Sequence, residues 1–135
     1  MPATGIETIL VVDDENAVLN MTRAMLTRYG YAVIPASEGR ATIAMIAGQP
    51  ELKIDLALVD VVMQDMAGPE LARELHQLRP GLPVLFMTGF SDQYQILVAQ
   101  RMPVLLKPFT SVTLIRRIRE ILDRPKSTAA TQSSS

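Results

Sequence analysis

The chain contains no cysteine, which removes disulfides, thiolate metal sites and cysteine nucleophiles together and leaves the redox compartment undetermined. Its single histidine, His76, means that a metal would have to be held almost wholly by oxygen donors. Neither sign of charge dominates. The 13 Lys and Arg residues stand against 14 Asp and Glu, and a net charge of −1 gives no general attraction to nucleic acid or acidic membrane. Arg116, Arg117, Arg119, Arg124 and Lys126 form one local basic cluster, which reads as a solvated helix face. No apolar run approaches the roughly 20 residues that a membrane span requires. The start, Met1-Pro2-Ala3-Thr4-Gly5, lacks a basic segment followed by an apolar one. A cytoplasmic location is expected, with no direct contact to nucleic acid or membrane. Internal repeats are absent as well, and 135 residues fit one domain large enough to bury a core.

What the chain does have is alternation. Short apolar runs occur at 8–12, 31–34, 54–59, 83–87 and 104–106, each followed by a helical pattern. In the first helix Val18, Thr22, Met25, Leu26 and Tyr29 share one face, and Gly30 ends it. Ser37 is the expected N-cap of a second helix that turns Ile43 and Ile46 inward and closes at Gly48. Pro69 suits the first turn of a third, with Leu71, Leu75 and Leu78 inward. Ser91 or Asp92 would cap a short fourth helix near 94–100. Thr110 would cap the fifth, whose core face is Leu114, Ile115, Ile118, Ile121 and Leu122. The methionines, including Met21, Met25 and Met45, read as core filler, and His76 as a surface or boundary residue. The expected organisation is an extension over 1–6, one domain over 7–124 and a disordered Ser/Thr-rich tail over 125–135.

Strand and helix alternating five times predict a three-layer, flavodoxin-like (βα)5 domain. Its parallel five-stranded sheet would run in the order 2-1-3-4-5, covered on both faces through right-handed crossovers. That order sets the ends of strands 1 and 3 side by side at the topological switch point, where open α/β sheets bind ligands. Asp13-Asp14 close the first run, Asp60 the third, Thr88 the fourth and Lys107 the fifth. Each alone has an ordinary explanation; acidic residues before a helix, for instance, complement its dipole for about 0.3–1 kcal/mol. Their coincidence on one edge is what points to chemistry. Clustered carboxylates repel one another unless a cation lies between them, and a hard divalent ion such as Mg²⁺ with oxygen ligands is the usual solution.

The segments Leu10-Val11-Val12-Asp13-Asp14-Glu15, Leu58-Val59-Asp60-Val61-Val62-Met63, Met87-Thr88-Gly89 and Leu106-Lys107-Pro108-Phe109 resemble, in order, the motifs of the receiver domain of two-component response regulators. The likeness runs from about 7 to 122. It implies that Asp60 is a phosphoacceptor, taking a phosphoryl group from phosphohistidine on a histidine kinase or a histidine phosphotransfer protein. It further implies a Mg²⁺ site made by Asp14, Asp60 and the backbone carbonyl of Val62, with Asp13 acting through a water. Lys107 and Thr88 would engage the phosphoryl oxygens, and Lys107-Pro108 is by resemblance a candidate cis peptide. A conformational switch controlling a downstream protein target follows, and the resemblance also admits a weak homodimer through helix 4, strand 5 and helix 5. It implies no metabolic enzyme, only self-phosphorylation and slow self-dephosphorylation.

The departures are local. Family members commonly carry an aromatic residue three positions before the lysine, where this chain has Val104, and a proline where it has Gln64. Val62 and Phe90, two residues beyond Asp60 and Thr88, are both apolar and are expected to keep water from the phosphoryl group. Two other functions are weighed on the same fold. A haloacid-dehalogenase-like phosphatase would need a second aspartate where Val62 stands. A flavin or nucleotide module would need a phosphate-binding loop where Asp13-Asp14-Glu15 would repel phosphate. A phosphorylation-independent interaction domain is disfavoured because every expected site residue is present. With the sequence ending soon after the fifth helix, a stand-alone receiver or a piece of a hybrid histidine kinase is expected.

Overall fold

The computed structural model describes residues 5–124. The elements run β1 (Thr8–Val12), α1 (Asn16–Arg28), β2 (Ala32–Ala36), α2 (Gly39–Ala47), β3 (Leu56–Asp60), α3 (Gly68–Leu78), β4 (Val84–Thr88), α4 (Ser91–Ala99), β5 (Val104–Leu106) and α5 (Ser111–Leu122). The strands form one parallel sheet in the order β2-β1-β3-β4-β5, as the alternation predicts. Expectations about an N-terminal extension at 1–6 and a tail at 125–135 fall mostly on residues outside the described range.

Both faces of this sheet are dry because its central strands are apolar at successive positions, not only at alternate ones. The two-residue strand period then sorts the side chains into two cores. Leu10, Val12, Ala57, Val59 and Phe86 face Ile46 of α2, Leu71 and Leu75 of α3 and Leu97 of α4. Ile9, Val11, Leu58, Leu85 and Met87 face Leu19 and Leu26 of α1 and Leu114, Ile115 and Ile118 of α5. Every residue of β3 and β4 is buried, so their carboxyl ends are held rigidly.

Local expectations needed correction where tertiary contacts override local preference. β2 runs through Pro35 to Ala36, which pairs with Val12; an edge strand tolerates the missing N–H. Leu19 joins the buried face of α1, whereas Met21 is 42% exposed and Leu78 38% exposed, so neither is core. Ser37 does not cap α2. Glu38 occupies the N-cap without a side-chain bond, and the first N–H groups of the helix go instead to Asp65, from another loop. Likewise α4 starts at Ser91 after Phe90, which caps nothing with its side chain. Thr110 does cap α5, accepting from the Thr113 N–H at 3.1 Å. Gly30 ends α1 at φ 97°, a left-handed position suited to glycine, with Tyr31 N–H reaching back to the Leu26 carbonyl. His76 is exposed, its Nε2 lying 2.8 Å from the Leu82 carbonyl oxygen, which makes it a boundary residue. Within the basic cluster Arg119 meets Glu7 and Asp123 and Arg117 meets Glu120, while Lys126 lies outside the described residues.

Candidate functional site

The sheet order sets the carboxyl ends of β1 and β3 beside each other. Val12 is in register with Val59, so the residues that follow, Asp13 and Asp60, emerge together. Asp13 is fully buried and Asp60 is 6% exposed, while Asp14 is the more accessible of the three. A carboxylate oxygen from each lies within 4.8 Å of the others. Lys107, just after β5, reaches into this cluster. Its Nζ is 3.1 Å from Asp13 Oδ2 and 3.4 Å from Asp60 Oδ1. The backbone guides it there, since Lys107 N–H donates to the Thr88 carbonyl at 2.7 Å, and the Lys107-Pro108 peptide is cis, as expected.

Three carboxylates facing one ammonium leave an electrostatic imbalance. Burial, followed by repulsion from Asp13, pushes the Asp60 carboxyl up to about 6 against the pull of Lys107. For Lys107, burial disfavours the charge, but Asp60 and Asp13 together outweigh it and hold the ammonium above its ordinary pKa. The two shifts are compatible: the lysine sees two anions, whereas Asp60 sees one cation, two anions and little water. The donor chemistry fits a small hard divalent ion. It supplies oxygen only, on a partly open edge that leaves room for retained waters.

Asp13 has a further duty. Its Oδ1 accepts from the Glu15 N–H at 2.9 Å, so it orders the turn after β1 but does not serve as the N-cap of α1, a position held by Glu15. Asp14 Oδ2 accepts from the Gln64 N–H at 2.9 Å. Gln64 is thus more than a change of loop sequence, and this contact was invisible in the sequence because the donor is backbone. Thr88 is fully buried at the end of β4, and its Oγ1 accepts from the Phe90 N–H at 3.1 Å. Behind Asp60, Gly68 N–H donates to the Val61 carbonyl, and a Cβ at Gly68 would collide with the Asp60 carbonyl oxygen and lie 2.9 Å from Val61 Cα.

A cavity of about 630 Å³ opens over the site, with Asp14, Asp60, Val62, Gly89, Phe90 and Lys107 in its wall. Asp13 and Thr88 are not among its lining residues. Val62 is 44% and Phe90 59% exposed, so the rim beside Asp60 is apolar. Met21, assigned to the core by sequence spacing, also lines it. Val104 is buried in β5, and no ring occupies that position.

Fold and site together define a doubly wound α/β module with an acidic, lysine-bridged cleft at its switch point. A sequence model of the response regulator receiver domain matches residues 9–119, and the chain belongs to that family. It is a receiver domain of the two-component type, for which phosphorylation at aspartate and Mg²⁺ are general features. The probable transcriptional regulatory protein TcrX of Mycobacterium tuberculosis is 32% identical over 120 residues, covering 87% of this chain and 50% of that protein. The sensor kinase CckA of Brucella abortus is 32% identical over 130 residues, 90% of this chain but 13% of the kinase. The chain therefore spans half or less of the length of these curated relatives. A CheY-like receiver domain protein from Methanospirillum hungatei superposes with a TM-score of 0.75 at 31% identity, over 88% of this chain and 95% of that one. Among the described residues no helix is long and apolar enough to cross a membrane.

Proposed function

We propose that Asp60 is the phosphoacceptor, taking a phosphoryl group from a phosphohistidine on a histidine kinase or histidine phosphotransfer protein, and that the resulting aspartyl phosphate controls a downstream protein. The observation that carries this reading is the lysine bridging Asp13 and Asp60 at the mouth of the cavity. An Asp60 oxygen attacks phosphorus as the P–N bond to the donor imidazole breaks, and the imidazole leaves with that electron pair. Such transfers need positioning and charge neutralisation more than covalent help. Asp14, Asp60 and the Val62 carbonyl would hold Mg²⁺, with Asp13 acting through a water; the ion, when bound, supplies the positive charge that the cluster lacks. Lys107 holds Asp60 in place before transfer and pairs with a phosphoryl oxygen afterwards. Thr88, whose hydroxyl oxygen already accepts from Phe90, keeps its hydroxyl proton for another phosphoryl oxygen.

Phosphorylation adds about −1.5 to −2 charge at this edge, and drawing Thr88 and Lys107 towards it biases the loop that leads into α4. Exposed Ile96 and Val98 on α4, Leu106 on β5 and Val112 on α5 support that region as the surface for a downstream protein or a weak homodimer. Residues 7–124 form the receiver unit in this reading. The test is intact mass after incubation with acetyl phosphate and Mg²⁺. One phosphoryl adduct that disappears in Asp60→Ala and in EDTA is expected, and an adduct surviving Asp60→Ala would overturn the assignment.

A further inference from the structure

Asp14 and α2 are joined by three consecutive residues that the phosphoryl chemistry does not use. Gln64 donates its backbone N–H to Asp14 Oδ2 at 2.9 Å. The next residue, Asp65, spends both carboxylate oxygens on the first turn of α2, accepting from Gly39 N–H at 3.1 Å and from Arg40 N–H at 2.9 Å. Met66 is buried and lies against Gly39, where an added Cβ would come within 2.6 Å of its Sδ. The helix has no side-chain cap of its own at Glu38, so its opening N–H groups depend on this borrowed carboxylate. Gly68 pins the far end of the segment against the Asp60–Val61 backbone. The segment is thus tied to Asp14, to the first turn of α2 and to the backbone behind Asp60.

We propose that segment 62–66 is a positioning element with two anchors. The Gln64 N–H orients the Asp14 carboxylate for the cation, and Asp65 fastens that segment to the first turn of α2, so that cation binding and the start of α2 are coupled. The proposal rests on the reading of Asp13, Asp14 and Asp60 as the cation site. It depends on the residues at 64 and 65. A proline at 64 would have no N–H to offer Asp14, and an alanine at 65 would leave two helix N–H groups without their partner. Coupling of this kind is reciprocal, so whatever loosens the anchor on α2 must weaken the cation.

Mg²⁺ titration of the whole chain, followed by amide NMR, reads both ends. In the native protein Mg²⁺ is expected to shift the Gly39 and Arg40 amides along with that of Gln64. Asp65→Ala should weaken Mg²⁺ binding about three- to tenfold. Asp65→Asn, which loses the same charge but keeps an acceptor for one N–H, should weaken it distinctly less. Gln64→Pro should lower the affinity while leaving the Asp65 bonds to α2 in place. Thr110→Ala removes the cap of α5 and should leave Mg²⁺ affinity unchanged, which separates the effect from general destabilisation. Equal losses in Asp65→Ala and Asp65→Asn would reduce the effect to charge alone and overturn the proposal. So would Gly39 and Arg40 amides that stay put while Mg²⁺ is bound, a result that needs no variant to fold. A native chain that binds no Mg²⁺ would instead overturn the cation-site reading itself, and this inference with it.

Discussion

Replacing Asp60 with asparagine should stabilise the metal-free protein even though it removes a partner of Lys107. The carboxyl is pushed up from 3.8 to about 6 by burial and by Asp13, after the opposing pull of Lys107 is included. A raised carboxylate pKa means that the folded state holds the proton more tightly than the unfolded chain does. Ionised Asp60 therefore costs stability at neutral pH, the full cost is present above the folded value near 6, and it fades as pH falls towards the unfolded value. Each pKa unit corresponds to about 1.4 kcal/mol, so the neutral amide should gain about 2–4 kcal/mol at pH 7.5, or roughly 6–15 °C in Tm for a domain of this size. Thermal and urea unfolding in EDTA at pH 7.5 and pH 4.5 measure it. The gain should be largest at pH 7.5 and fall to about 1 kcal/mol at pH 4.5, vanishing only below the unfolded value. Adding Mg²⁺ should raise the native Tm by mass action and close most of the gap. An asparagine variant that is no more stable than the native protein in EDTA at pH 7.5 would refute the claim that the cluster is held together against its own charge.

Three further outcomes follow from individual residues. Arg101 ends the turn after α4 at φ 60°, a conformation that costs a side-chain-bearing residue, so Arg101→Gly should stabilise by about 0.5–1 kcal/mol in urea unfolding. Gly68→Ala would press a methyl group onto the Asp60 carbonyl and the Val61 backbone; it should cost more than about 2 kcal/mol and reduce phosphorylation of Asp60 in the mass assay. Val62→Asn places an amide in the cavity wall beside Asp60, where it can hydrogen-bond an attacking water, so the aspartyl phosphate should decay severalfold faster, and an unchanged decay rate would show that Val62 does not keep water out.

The fold was legible because its signal is local and repeated. Five apolar runs too short for helices, with helical periodicity between them, leave few topologies once crossovers are right-handed. Asp13, Asp14, Asp60, Thr88 and Lys107 could be placed for the same reason, since strand ends in a parallel sheet fall on one edge. Tertiary structure decided what depends on neighbours far away in sequence. It set the protonation balance of Asp60, which comes from burial and from anions on another strand. It exposed Met21 and Leu78, which helical spacing alone had turned inward. Above all, it decided which group serves α2. Ser37 has the chemistry of a cap but falls one residue before the N-cap position, and Asp65, 26 residues away from Gly39, takes that role, while the neighbouring Gln64 reaches Asp14 through a backbone N–H that carries no residue signature at all. Side-chain type and period are written along the chain, whereas the partner of a backbone N–H is chosen only when two loops meet.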